Sequence, residues 1–83
     1  MARGTGRPDR NALALNVRRL RKQRKWSQER LAAEAGELRQ SLISDLELAK
    51  ANPTLITLES IAGALGVTVH DLFKPSRAGR PPR

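Results

Sequence analysis

Gly36 stands between two short runs whose apolar residues recur at helical spacing, which leaves few folds open to a chain of this kind. Before it, Ser27 is a good N-cap, Glu29 falls in the first turn, and Leu31, Ala32 and Ala35 share one face. A glycine just past that run supplies the left-handed residue on which helices commonly end. After it, from about Gln40 to Leu48, the residues Ile43, Leu46 and Glu47 fall at i, i+3 and i+4 and face inward, which turns Gln40, Ser41, Ser44 and Asp45 outward. Ser27 to Glu47 is therefore predicted to be a helix, a tight turn and a second helix with short hydrogen-bonding side chains opposite its apolar face.

The flanking segments extend the same pattern. A first helix is predicted from about Asn11 to Lys25, with Leu13, Val17, Leu20 and Arg24 on its inner stripe and Arg18, Arg19 and Lys22 outside; Trp26 then docks on the core from the connection. Asn52-Pro53 marks a turn, and Leu58, Ile61, Ala62 and Leu65 form the stripe of a fourth helix closed by Gly66. Thr68 and Asp71 have capping-box spacing for a short fifth helix, whose Val69, Leu72 and Phe73 cover the open end of the core. The fold class expected is all-α, a compact five-helix bundle with no strand.

Length and charge set the boundaries of this unit. A chain of 83 residues holds one small domain, because at this size only about 60 to 65% of the unfolded surface is buried on folding. Residues 11–75 are read as that domain, between an N-terminal arm (1–10) and a C-terminal tail (76–83) that mix Gly, Pro and Arg without apolar periodicity and are read as disordered. The net charge of +8 is unevenly spread: Met1 to Lys25 carries nine Arg or Lys against one acidic residue, Trp26 to Pro75 four against seven, and the tail three against none. Basic ends around a mildly acidic core suit a polyanion partner, although a solubilising coat has the same signature. Both ends contain Gly-Arg-Pro, which can lie extended in an A·T-rich minor groove, but neither copy has the flanking Arg and Gly of a full hook.

Several function classes are disfavoured. With no cysteine and a single histidine, His70, no metal site or disulfide framework is expected, and His70 reads as a surface residue. No apolar run approaches the roughly 20 residues of a membrane span, and the arginine-rich start lacks the apolar stretch of a signal peptide, so a cytoplasmic protein is expected. No paired carboxylates, nucleophile with base or phosphate-cradling glycine loop stands at usable spacing, so neither catalysis nor a cofactor or small-molecule ligand is anticipated. A helix that turns amide, hydroxyl and carboxylate groups away from its core is suited to base edges in the major groove of double-stranded DNA.

In order along the chain stand Val17-Arg18-Arg19-Leu20-Arg21, Ser27-Gln28-Glu29-x-Leu31-Ala32, Ala35-Gly36, Ile43-Ser44-x-x-Glu47, Asn52-Pro53-x-Leu55, Ile61-Ala62-x-x-Leu65-Gly66-Val67 and Leu72-Phe73. This series resembles the Xre family of lambda-repressor-like and Cro-like helix-turn-helix regulators over roughly Leu13 to Phe73. The resemblance implies a DNA-binding fold and roles at particular positions. Gln28 would bond a phosphate and brace Gln40, the first residue of the recognition helix. Gln40, Ser41, Ser44 and Asp45 stand at groove-facing positions, and Arg39 just before them can reach guanine or the backbone. Lys50 and Asn52 would contact phosphates beyond the recognition helix. Arg21 and Glu47 correspond to a structural ion pair between helices 1 and 3.

Three departures from the family pattern bear on structure. The turn between helices 2 and 3, Gly36 to Arg39, is one residue longer than usual and is able to shift or tilt the recognition helix. Position 49 is Ala where the family usually has Gly, so a left-handed residue there would carry about 1 to 2 kcal/mol of strain, or the helix would end differently. Leu48 and Ile56 are apolar where a monomer is expected to be polar.

Leu55, Ile56, Val69 and Phe73 are read as one apolar patch on helices 4 and 5, a homodimer interface away from helix 3. A two-fold dimer would set two recognition helices about 34 Å apart, one turn of B-DNA, and read an inverted repeat. Restriction-modification controller proteins, which this compact domain resembles in size, use such a dimer. The function expected is a sequence-specific transcriptional regulator. An antitoxin-type protein that neutralises a partner and autoregulates, and a nonspecific nucleic-acid coat protein, are the alternatives; the tail lacks the amphipathic extension that the first of these needs.

Overall fold

The computed structural model describes residues 10–75, which form five helices: α1 (Arg10–Gln23), α2 (Gln28–Glu34), α3 (Gln40–Glu47), α4 (Leu55–Leu65) and α5 (Val69–Phe73). No strand occurs among the described residues. The Arg-rich arm before Arg10 and the tail from Ser76, with both Gly-Arg-Pro elements, lie outside them. The helix α3 is supported by α1 and α2, while α5 lies across α1 and α4.

The helices bury most of the stripes that their spacing dictates. Leu13 and Val17 of α1, Leu31, Ala32 and the following Ala35, Ile43 and Leu46 of α3, Leu58, Ile61, Ala62 and Leu65 of α4, and Leu72 of α5 form one core. Withdrawing a Leu or Ile side chain from water contributes about 1.5 to 3 kcal/mol, so these residues outweigh the weak intrinsic preference of such short helices. Trp26, Leu38, Val69 and Phe73 pack around this centre half-buried.

Side-chain caps set most of the starts. The Ser27 hydroxyl accepts from the Arg30 amide at 2.9 Å and Thr54 accepts from the Thr57 amide at 3.1 Å. At α5 the capping box is complete: Thr68 Oγ1 accepts from the Asp71 amide at 3.0 Å and Asp71 Oδ2 from the Thr68 amide at 3.1 Å. The backbone bond from Thr68, followed by the side chain of Lys74, lowers the Asp71 pKa to about 2.

Helix ends required more than glycine. The first helix stops at Gln23, two residues short of the expected Lys25, because Lys25 takes a left-handed φ of 60° and the Trp26 amide bonds back to the Arg21 carbonyl at 3.2 Å. Arg24, expected on the inner stripe, is consequently exposed. Its guanidinium donates to the Leu65 carbonyl at 3.0 Å, at the end of α4, and stacks 5.1 Å from the centre of Trp26, with Arg30 5.2 Å away. Gly66 accommodates this contact: its φ is +75°, and a Cβ there would meet Arg24 Nη2 at 2.9 Å.

One buried polar residue was not anticipated. Asn16 lies on the apolar side of α1 and is 1% exposed. Its amide donates to the carbonyls of Leu72 at 2.8 Å and Lys74 at 2.7 Å, with Asp71 at 3.5 Å, and its oxygen accepts from Arg19 at 3.2 Å. The carbonyls left open at the end of α5 thus find their donors on α1.

Candidate nucleic-acid interface

The turn before α3 takes up its extra residue without moving the helix start. Gly36 (φ 95°) and Glu37 (φ 61°) are left-handed in succession, the Leu38 amide bonds the Ala32 carbonyl at 2.8 Å, and the Leu38 side chain packs on the core. Two tight residues followed by one anchored residue absorb the added length, so α3 begins at Gln40 as anticipated. Arg39 is its N-cap in extended conformation and makes no side-chain capping bond.

From that start, Ile43 and Leu46 are buried and the opposite side is presented to solvent. Arg39, Gln40, Ser41 and Asp45 are exposed and Ser44 is half-buried. Among the described residues no hydrogen bond or ion pair engages any of these five side chains. The surface therefore offers a guanidinium, an amide, two hydroxyls and a carboxylate without internal partners, so that their transfer to another polar surface strands no group inside the protein.

The end of α3 resolves the question posed by Ala49. It adopts φ 61°, the left-handed conformation for which glycine is suited, and the Lys50 amide bonds the Asp45 carbonyl at 2.8 Å. The closing hydrogen bonds and the turn toward α4 outweigh a strain of about 1 to 2 kcal/mol. Lys50 and Asn52 follow on this turn, both exposed, and Leu48 at the helix end is 60% exposed.

Behind the outward face lies a network across three helices. Arg21 of α1 donates from Nε to Glu47 Oε2 at 2.7 Å and from Nη2 to Oε1 at 2.9 Å, and from Nη1 to the Trp26 carbonyl at 2.7 Å. The two side chains are only 11% and 5% exposed. The hydrogen bond to Glu47 raises the Arg21 pKa above its ordinary value, against the opposing effect of burial. The amide nitrogen of Gln28 also donates to Glu47 Oε1, at 3.2 Å. This corrects the expected brace: Gln28 is tied to Glu47 at the far end of α3, and no hydrogen bond joins it to Gln40 among the described residues.

The apolar patch divides into two kinds of residue. Leu55 and Ile56, at the start of α4, are 61% and 75% exposed, whereas Val69 and Phe73 are half-buried and lean on the core. No helix among the described residues is long and apolar enough to cross a membrane, and no group of three or more His, Cys, Asp or Glu there is able to hold a metal ion.

Comparison with known proteins agrees with this geometry. The chain is 45% identical over 53 residues to the immunity repressor protein of Bacillus phage phi105, covering 64% of this chain and 36% of that one, so it spans about a third of that relative. It is 39% identical over 67 residues to the HTH-type transcriptional regulator y4dJ of Sinorhizobium fredii, covering 81% of this chain and 86% of that one. Among solved structures, the restriction-modification controller protein C.AhdI from Aeromonas hydrophila superposes with a TM-score of 0.73 at 31% identity, covering 78% of this chain and 97% of that one. The five helices, the outward face of α3 and a helix-turn-helix (HTH_3) family match over residues 17–72 lead to one conclusion: this chain belongs to the helix-turn-helix family.

Proposed function

We propose that this protein is a sequence-specific transcriptional regulator that binds double-stranded DNA by inserting α3 into the major groove. The observation that carries the reading is the outward, internally unpaired row of exposed Arg39, Gln40, Ser41 and Asp45 and half-buried Ser44, on a helix held from behind by α1 and α2. The Gln40 amide matches adenine N6 and N7, Asp45 is able to accept from cytosine N4, and Arg39 reaches guanine or the sugar-phosphate chain. A good bidentate pair of this kind discriminates by about 1 to 3 kcal/mol. Gln28, Lys50 and Asn52 supply phosphate contacts that set register without reading sequence.

The protein acts as a homodimer on an inverted repeat, in the cytoplasm where its DNA lies, and performs no catalysis. Leu55 and Ile56 form the centre of the contact, because two large apolar side chains more than half exposed beside each other are stabilised by a second copy, and Val69 and Phe73 border it. Selection of bound sequences from a random duplex pool tests the proposal. An enriched palindrome whose half-sites lie about one helical turn apart is expected, and recovery of no enriched motif would reject it.

A further inference from the structure

We infer that Glu47, besides pairing with Arg21, is a positioning residue for DNA binding that acts through Gln28. Its carboxylate accepts three hydrogen bonds: Oε2 receives Arg21 Nε, and Oε1 receives both Arg21 Nη2 and Gln28 Nε2. A carboxylate only accepts, whereas an amide has one end that donates and one that accepts. The Gln28 side chain therefore has a single admissible orientation, nitrogen toward Glu47. Its flipped form would set the amide oxygen against Glu47 Oε1 in a half-buried site, where an unmatched acceptor pair costs more than in water.

Polarity passes outward from this contact. With one N–H of Nε2 on Glu47, Gln28 retains the other for an anionic oxygen such as a backbone phosphate, and keeps its carbonyl as an acceptor. Arg21 holds the carboxylate and the carboxylate holds the amide, so the donor is ordered before DNA arrives and loses less rotamer freedom on binding. Glu47 lies at the inner face of α3 and is 5% exposed, so it takes this part without approaching a base or phosphate.

This inference rests on the reading that α2 and α3 face DNA, and its test separates the two. The full chain, Gln28→Ala, Glu47→Gln and the double variant are each titrated with a mixed-sequence DNA duplex, and thermal melting establishes that each is folded at the titration temperature. Each single change is expected to weaken binding about three- to tenfold, the loss of one oriented hydrogen bond. The double variant is expected to bind no more weakly than Gln28→Ala, since the carboxylate then has nothing to orient. Glu47→Gln also removes one negative charge, which by itself tightens binding to a polyanion. Tighter binding by Glu47→Gln, or losses that add in the double variant, would overturn the positioning role while leaving DNA binding intact. Failure of the unaltered chain to bind the duplex at all would sink both readings. Side-chain 15N relaxation of the unaltered chain needs no variant and decides the matter if Glu47→Gln fails to fold: the Gln28 amide is expected to be rigid beside the mobile amide of exposed Gln23, and equal mobility contradicts the inference.

Discussion

The side-chain amide of Asn16 reaches from α1 to the carbonyl oxygen of Leu72 at 2.8 Å, so the end of α5, the shortest of the described helices, is capped by a residue 56 positions away in sequence. Asn16→Ala strands the buried carbonyl of Leu72 and leaves that of Lys74, at a more open position, without its donor. A loss of about 2 to 3 kcal/mol is expected in urea unfolding, at the upper end for an unsatisfied buried group. A change below about 0.5 kcal/mol, the range of ordinary surface substitutions, would mean the latch is idle.

Arg21→Leu leaves the Glu47 carboxylate buried with only the Gln28 amide beside it. It is expected to destabilise by about 3 to 5 kcal/mol, and the double change Arg21→Leu, Glu47→Leu by much less than two such losses. DNA binding by Arg21→Leu should then follow the folded fraction measured by circular dichroism, apart from the loss of about three- to tenfold expected when Glu47 no longer holds Gln28 in place. A larger binding defect in fully folded protein would instead place Arg21 at the DNA.

Ala49→Gly relieves a left-handed alanine but adds freedom to the unfolded chain. The first effect is about 1 to 2 kcal/mol and the second about 0.5 to 1, so a net stabilisation is expected, raising the melting temperature by a few degrees. An unchanged or lower melting temperature would show that position 49 carries no such strain.

Asp71 gives stability a dependence on acid. Its folded pKa is lowered to about 2 from 3.8 by the Thr68 backbone bond and by Lys74. A depressed folded pKa means a contribution present above the unfolded value and lost as pH falls from about 4 toward 2. The melting temperatures of the protein and of Asp71→Asn should therefore differ at neutral pH and converge across that interval. A gap that persists at pH 2 would assign the difference to something other than the carboxylate.

Residues whose burial follows from local period were legible in the sequence. Leu31, Ala32 and Ala35, and Leu58, Ile61, Ala62 and Leu65, lie where helical spacing places them, and Thr68 with Asp71 forms the capping box that their separation suggests. The outward side of α3 followed for the same reason, once Ile43 and Leu46 were assigned inward. What escaped depends on partners distant in the chain. Arg24 continues the apolar period of α1, but left-handed Lys25 ends the helix first and the guanidinium finds Leu65, 41 residues on. Gln28 finds Glu47 instead of Gln40, which no local pattern specifies. Asn16 left a signal: it stands three residues after Leu13 and directly before Val17, a polar residue on an apolar stripe that buries only if its hydrogen bonds are met.

If the outward side of α3 discriminates among bases, Gln40 at its first turn must carry part of that discrimination. Affinities of the protein and of Gln40→Ala are measured on the duplex recovered by selection and on its single-base variants, with a melting curve for each protein. Preference at one base pair is expected to fall by about 1 to 3 kcal/mol, while stability stays within about 0.5 kcal/mol. An unchanged preference at every position would mean that Gln40 reads no base, and a collapse of the melting temperature that it belongs to the core.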